Sequence, residues 1–457
     1  RCVTISKVAK IYKKKQEGNM KVTGIIAEYN PFHRGHKYQI DYCKKELHSD
    51  YVVVAMSGDY VQRGTPALLP KHARAEMALR CGADLVLELP VSVSTASAEA
   101  FAMGAVSMLD GLRVIDHLCF GSEYGKVSAL QELAAVLVSE PKEYRLFLKK
   151  FLSAGCSFPS ARSQALVEYF KNPHNFEGDT FDGILTPLLN QITQILNSPN
   201  NILGIEYCKA LNRLKSNIKP VTLKRQGMGY HDTLTAASSA HAVSADISSK
   251  NLPFSSASAI RELLDSTLTQ ETIAQISAQI PDEASSFFVS SLQNNGYLNE
   301  EVLDDLLIYR IMYTDAESLS QYLDVSGNLA ERIINCRNEI SGFTQAASLL
   351  KTKELTQTRI QRALLHSILQ IREAPLSVPY SRVLGFRKES SPLLKEIKKN
   401  SAIPVLTKLA DSDALLDETG KRLLSETTAA SNLYEKLLCK KNGQKFIHEY
   451  QKQLVIF

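Results

Sequence analysis

His33 and His36 stand three residues apart with Gly35 between them, at the end of the run Gly24-Ile25-Ile26-Ala27-Glu28-Tyr29-Asn30-Pro31-Phe32-His33-Arg34-Gly35-His36. Side chains at this spacing share one face of the first turn of a helix. A helix start also leaves backbone N–H groups unpaired and favours an anion. Two imidazoles and a glycine there suit a phosphate that comes close to the backbone. The chemistry this supports is attack on the α-phosphate of a nucleoside triphosphate. Fixed donors then stabilise charge on the phosphoryl oxygens and the departing pyrophosphate. A pair of histidines that merely caps a helix is the plain alternative.

The elements that position this pair follow from the flanking residues. The small and apolar residues from Gly24 read as a buried strand, and Asn30-Pro31 forces a turn. His36 to Leu47 then carries helical spacing. Tyr51 to Met56 is an unbroken apolar run, as expected of a parallel strand buried on both faces. It ends in the loop Ser57 to Gly64, where Gln62 and Arg63 are candidate contacts because ligands sit beyond the carboxyl ends of strands in open α/β sheets. Helix Lys71–Cys81, strand Leu85–Pro90, small-residue helix Ala96–Leu109 and strand Asp116–Phe120 continue the alternation. The pattern predicts an α/β fold with a doubly wound parallel sheet. Gly121 falls at a strand end where a missing Cβ admits a ribose or base. Pro220–Arg225 is a further strand; its Arg225 suits a triphosphate, whereas Lys224 alternates to the other face. Asn200 and Asn201 follow Pro199 at a helix start, where an N-cap explains one of them. Ser255-Ser256-Ala257-Ser258 leads into a helix bearing Arg261 one turn on.

The string Glu28-Tyr29-Asn30-Pro31-Phe32-His33-x-Gly35-His36 resembles the HxGH signature of the nucleotidyltransferase superfamily, and in particular the bacterial tRNA(Met) cytidine acetate ligases. The serine run ending in Arg261 resembles the second superfamily signature. The resemblance implies a Rossmann-like, HUP-type domain. It also implies activation of acetate by ATP as acetyl-adenylate and acetylation of N4 of the wobble cytidine of elongator tRNA(Met). It makes His33 and His36 catalytic and extends the ATP contacts over Ile26, Ala27, Glu28, Tyr29, Asn30, Pro31, Phe32, Arg34, Gly35, Lys37, Tyr38 and Gln39. Gly121, Arg225, Ser255, Ser256 and Arg261 join them. The matching Asn-Ile-Leu-Gly-Ile-Glu-Tyr run assigns the asparagine contact to Asn201, with Asn200 as the register alternative. Mg²⁺ is expected with ATP, although no acidic cluster assigns its ligands. Two other readings remain: an adenylyltransferase acting on a small metabolite, and a non-catalytic RNA-binding protein on the same fold.

The 457 residues suffice for two to three cores, and the composition, 44% hydrophobic and 22% charged, is ordinary. No apolar run is long enough to span a membrane. Eight scattered cysteines without a CxxC pair support neither zinc nor a disulfide framework, so reduced thiols in the cytoplasm are expected. Met20 reads as the natural start, with residues 1–19 an extension; 20–268 form the ATP-binding domain and 269–457 a mainly helical, tRNA-binding half with a small α/β piece. Val378 to Lys408 holds seven cations (Arg382, Arg387, Lys388, Lys395, Lys398, Lys399, Lys408) against Glu389 and Glu396. Arg387, Lys388, Lys398 and Lys399 are the tRNA candidates, since such an excess suits a phosphate backbone. The net charge of +5 permits an RNA partner without demanding one. The sequence leaves oligomeric state open.

Overall fold

Val22, Gly24 and Ile26 project to one side of strand β1 (Val22–Ala27), and Thr23 and Ile25 to the other. Both sides are apolar enough to be buried, so β1 lies inside a sheet. The computed structural model describes residues 20–171, 192–225, 257–264 and 269–457. In it β1 pairs in parallel with β2 (Tyr51–Ser57) and with β6 (His117–Ser122). A short hairpin, β3 (Tyr60–Val61) and β4 (Thr65–Pro66), follows β2. β5 (Leu85–Leu89) joins β2, and β7 (Lys219–Lys224) joins β6, both in parallel. The doubly wound parallel sheet expected from the sequence is present.

The sheet continues with strands from the chain's last eighty residues. β8 (Ser381–Phe386) pairs antiparallel with β5, and β9 (Val405–Leu406) and β10 (Val455–Ile456) pair with β8. The order is β10-β8-β5-β2-β1-β6-β7, with β9 also on β8. A sheet domain closing near residue 268, with a separate small α/β piece after it, therefore does not describe the architecture. The strands of that piece complete the first sheet, because β5 would otherwise present an open edge.

Helices cover both faces. α1 (Arg34–Lys45) and α2 (Lys71–Arg80) pack with Ile25, Val52, Val54 and Met56. α3 (Ala98–Gly111) and α4 (Pro199–Arg213) pack with Val22, Ile26, Val53 and Ala55 on the opposite face. A third core joins helices between Leu303 and Ile371, among them α5 (Gln357–Leu369), with Tyr434 and Leu438 of the long helix α6 (Glu418–Asn442). This helical body sits on the loops beyond the sheet. Gly64, at φ +79°, lies so close to α5 that a Cβ would meet the Arg362 backbone nitrogen at 2.5 Å. The Tyr434 hydroxyl donates to the Ala67 carbonyl at 2.8 Å, and Thr95 Oγ1 lies 3.0 Å from His366 Nε2.

A buried ion network ties the late strands to the early sheet. Lys71 Nζ lies 2.6 Å from Glu88, 2.7 Å from Glu449 and 3.6 Å from Asp59. Arg382 spans Glu88 and Glu449 at 2.6 Å each. Among the described residues the cysteines are free thiols, and no helix is long and apolar enough to cross a membrane.

Candidate active site

His33 is the N-cap of α1, with extended backbone (φ −142°, ψ 174°). The Gly35 N–H donates to its Nδ1 at 3.0 Å, and its own N–H donates to His36 Nδ1 at 3.2 Å. This is the reciprocal capping arrangement usually built by Ser or Thr with Glu or Gln, here made of two histidines. The rings stack with centroids 3.8 Å apart. Because each Nδ1 accepts, the neutral ring carries its proton on Nε2. Burial keeps both rings neutral: it lowers the His33 pKa to about 3, helped by the nearby charges of Arg225 and Arg261. His36 is likewise pushed well below its usual value by burial, then by His33 and Arg225. The pair thus offers two neutral N–H donors at a helix N-terminus.

The turn that delivers this pair is held from beneath. Tyr29 adopts φ 51°, unusual for a bulky residue, with its ring edge-on to Phe32 and His36 at 4.7 and 4.8 Å. Asn30 Oδ1 accepts the Leu68 N–H at 2.7 Å, and Arg261 donates to the Asn30 carbonyl at 2.5 Å. Arg74, fully buried on α2, donates to the carbonyls of Glu28 (2.6 Å), Leu69 (2.9 Å), Ser57 (3.1 Å) and Gly58. It fixes the ends of β1 and β2 relative to each other, so it is a positioning residue. Only its place on a helix and its charge were visible in the sequence; a buried Arg is rare enough that surface is the default reading.

A cavity of about 280 Å³ opens at the carboxyl ends of β1 and β6. Ile26 to Asn30, His33, Gly35, His36, Tyr38 and Gln39 line it, as do Gln62, Arg63, Gly121, Asn200 and Arg225. Gly121 matters for Arg225: a Cβ there would meet the Arg225 side chain at 3.3 Å. The structure also adds an apolar wall of Phe101, Phe120, Leu203 and Tyr207. Apolar character alone does not single them out in the sequence, because core and wall share one composition.

Several expected contacts lie elsewhere. Pro31 and Phe32 are buried behind the turn. Arg34 faces the opposite way, bonding the Ala278 carbonyl at 2.8 Å and Asp282 at 3.0 Å. Lys37 pairs with Asp41 at 2.6 Å and Glu283 at 3.6 Å. Both follow from the helix, whose successive residues turn by about 100°. Gln39 lines the cavity while its amide donates to the Cys119 carbonyl at 2.9 Å. Of the two asparagines, Asn200 lines the cavity and donates to Glu123 at 2.6 Å. Asn201 is buried and accepts the Tyr124 N–H at 3.2 Å, so the register alternative fits the wall better. Arg261 braces the turn rather than lining the cavity. Ser255 and Ser256 lie outside the described residues.

A family model described as HIGH nucleotidyl transferase matches residues 20–449. A protein of Acetivibrio thermocellus named tRNA(Met) cytidine acetate ligase is 36% identical over 93% of this chain and 98% of its own length. The chain belongs to the tRNA(Met) cytidine acetate ligase family. A Halothermothrix orenii protein of the same name is 35% identical over 93% of this chain and 98% of its length. The crystal structure of Thermotoga maritima TmcAL bound with alpha-thio ATP superposes with a TM-score of 0.81 at 27% identity. It covers 96% of this chain and 100% of that one.

For a family whose name carries a tRNA, the placing of the basic surface matters. Lys388, Lys398 and Lys399 are exposed, while Arg387 is half-buried, 3.7 Å from Glu389 and over the Phe457 ring. Arg382 drops out of the patch, because both its pairs are internal. Leu85 pairs with Phe386 and Glu88 with Arg382, so Arg387 and Lys388 follow the end of β8 that lies at the amino edge of the parallel strands. The cavity is at the carboxyl edge, about 20 Å away along a six-residue strand. Arg362, one turn after Arg359 on α5, is buried against Asp324 at 2.8 Å. Among the described residues no three His, Cys, Asp or Glu side chains are grouped to hold a metal ion.

Proposed function

We propose that the chain is an ATP-dependent ligase that activates acetate and acetylates N4 of the wobble cytidine of elongator tRNA(Met). The observation that carries this is the stacked, neutral pair of His33 and His36 at the head of α1, beside a cavity, in a chain of this family. ATP lies across the carboxyl edge, its base and ribose toward Gly121 and Asn200, its phosphates at the α1 N-terminus and Arg225. An acetate oxygen attacks the α-phosphorus, the bond to the bridging oxygen breaks, and pyrophosphate leaves. The Nε2–H donors of His33 and His36 and the cation of Arg225 hold the charge that collects on phosphoryl oxygens, with no proton to be moved in this step. Cytidine N4 then attacks the acetyl carbonyl, the bond from that carbon to the AMP phosphate oxygen breaks, AMP departs, and the proton shed by N4 passes to solvent. Ser255 and Ser256 belong to the same triphosphate site by their signature, and Arg261 acts on it through Asn30. Mg²⁺ accompanying ATP finds no ready-made cage among the described residues; it commonly keeps its waters and rides on phosphates. The tRNA contacts are assigned to the region after residue 269, and the enzyme to the cytoplasm, where its substrates are.

The test is acetate-dependent exchange of pyrophosphate into ATP, with and without tRNA, for the unaltered chain and His36→Ala. Exchange that needs acetate and falls about 100-fold in the variant supports the assignment. Acetate-independent exchange points to another acceptor, and a normal rate in the variant removes His36 from the chemistry.

A further inference from the structure

We propose that the tip of the β3–β4 hairpin, Gln62 and Arg63, is the subsite for the carboxylate of the acyl donor, a small aliphatic monocarboxylate. This rests on reading the cavity as an adenylating site and assigns the substrate that ATP alone does not. β1 has β2 on one side and β6 on the other, and the cavity crosses from one side to the other. Gly121, Asn200 and Arg225 belong to the β6–β7 side. Gln62 and Arg63 belong to the β2 side, and the histidines of α1 stand between. In-line displacement at the α-phosphorus needs nucleophile and leaving group on opposite sides of that atom. With the pyrophosphate toward Arg225, the attacking carboxylate comes from the side of Arg63.

The hairpin tip is built for this position. The Gln62 N–H donates to Glu28 Oε1 at 2.8 Å, and the Gly64 N–H closes the turn on the Val61 carbonyl at 2.9 Å. Gly64, left-handed and against the Arg362 backbone, admits no side chain. Arg63 is thus clamped between one residue bound to β1 and another wedged against α5, and it lines the cavity instead of extending into solvent. Arg261, of like sign, and Glu28 and Glu300, of opposite sign, act on its charge. Arg63 and Arg261 offset the charges of Glu28 and Glu300, so a carboxylate gripped by the Arg63 guanidinium enters a site without net charge. A guanidinium can grip one carboxylate oxygen and leave the other to attack.

Arg63→Ala, Arg63→Lys and Gln62→Ala in the full chain test this. ATP affinity is read by calorimetry, and the acetate dependence by pyrophosphate exchange. Arg63→Ala should raise the KM for acetate by about tenfold or more, the loss expected for one hydrogen bond to a charged group. Arg63→Lys should recover part of that loss, and Gln62→Ala should raise the KM less than Arg63→Ala. ATP affinity should stay within about twofold, which also certifies folding. An unchanged acetate KM overturns the subsite. A loss of ATP affinity matching the loss in KM also overturns it, placing Arg63 on the triphosphate. Unaltered protein that binds ATP but shows no acetate-dependent exchange sinks the acetate reading itself, and this subsite with it.

Discussion

Histidine as a helix cap has a consequence for stability. His33 can accept from Gly35 only while its ring is neutral, and burial holds it so down to a pKa of about 3. His72, half-buried beside Lys71 and Arg382, is desolvated and also lowered to about 3. An unfolded histidine titrates near 6.5, so between these values the unfolded chain binds a proton that the folded chain refuses. Folding stability therefore falls as pH drops below about 6.5, and these groups change nothing above it. The loss is about 1.4 kcal/mol per pH unit for each such histidine, or about 2 kcal/mol at pH 5. His72→Gln, which leaves the cavity alone, should lose about 2 kcal/mol less than the unaltered protein between pH 6.5 and 5. Urea unfolding at the two pH values checks this; equal losses would mean that His72 is solvated or charged in the fold. At this scale the sequence disclosed which residues matter and not how they are held. His33, Gly35 and His36 were plain from type and spacing. The capping role was legible only as the plain alternative to a phosphate site, because histidine is not among the usual N-caps.

The strands β1, β2, β5 and β6 were legible because each is apolar on both faces and bounded by turn residues. β8 falls within the small α/β piece expected after residue 269, yet its partner was not visible. Pairing with β5 links residues some three hundred apart, and nothing local in Arg382-Val383-Leu384-Gly385-Phe386 marks it. The charge count misled for the same reason, since Arg382 contributed to a surface patch on paper and is internal in the fold. Once paired with Glu88 and Glu449, it is held charged even though burial opposes this. Arg382→Ala should destabilise by about 3–5 kcal/mol, the scale for leaving partners of a buried pair uncompensated. Urea unfolding of the variant measures it. A change under about 1 kcal/mol would mean that water reaches the network and that Lys71 alone balances both carboxylates.

At the scale of the whole molecule, sheet and helical body meet where the chemistry is proposed, while Arg387 and Lys388 lie at the far edge of the sheet. A tRNA is long enough to reach both, so the two surfaces are expected to act on different steps. The patch of Arg387, Lys388, Lys398 and Lys399 should hold the nucleic acid by its backbone, away from the reacting base. Arg359 stands one turn before Arg362 on α5, whose backbone abuts Gly64, the residue after the cavity-lining Arg63. Neutralising the four patch residues together should weaken tRNA binding and flatten its salt dependence. Each lost phosphate contact should remove about 0.7–0.9 from the slope of log K against log salt. Acetate-dependent pyrophosphate exchange without tRNA should be unaffected, and acetyl transfer at saturating tRNA nearly so. Arg359→Ala should do the reverse, slowing transfer at saturating tRNA with a slope change of no more than one contact. The two variants separate binding from delivery, because Lys398 and Lys399 also lie in the last turn of their helix, where cations are favoured without any ligand. An unchanged salt slope in the fourfold variant would make the patch solvated surface and leave the helical body around Arg359 to carry the RNA.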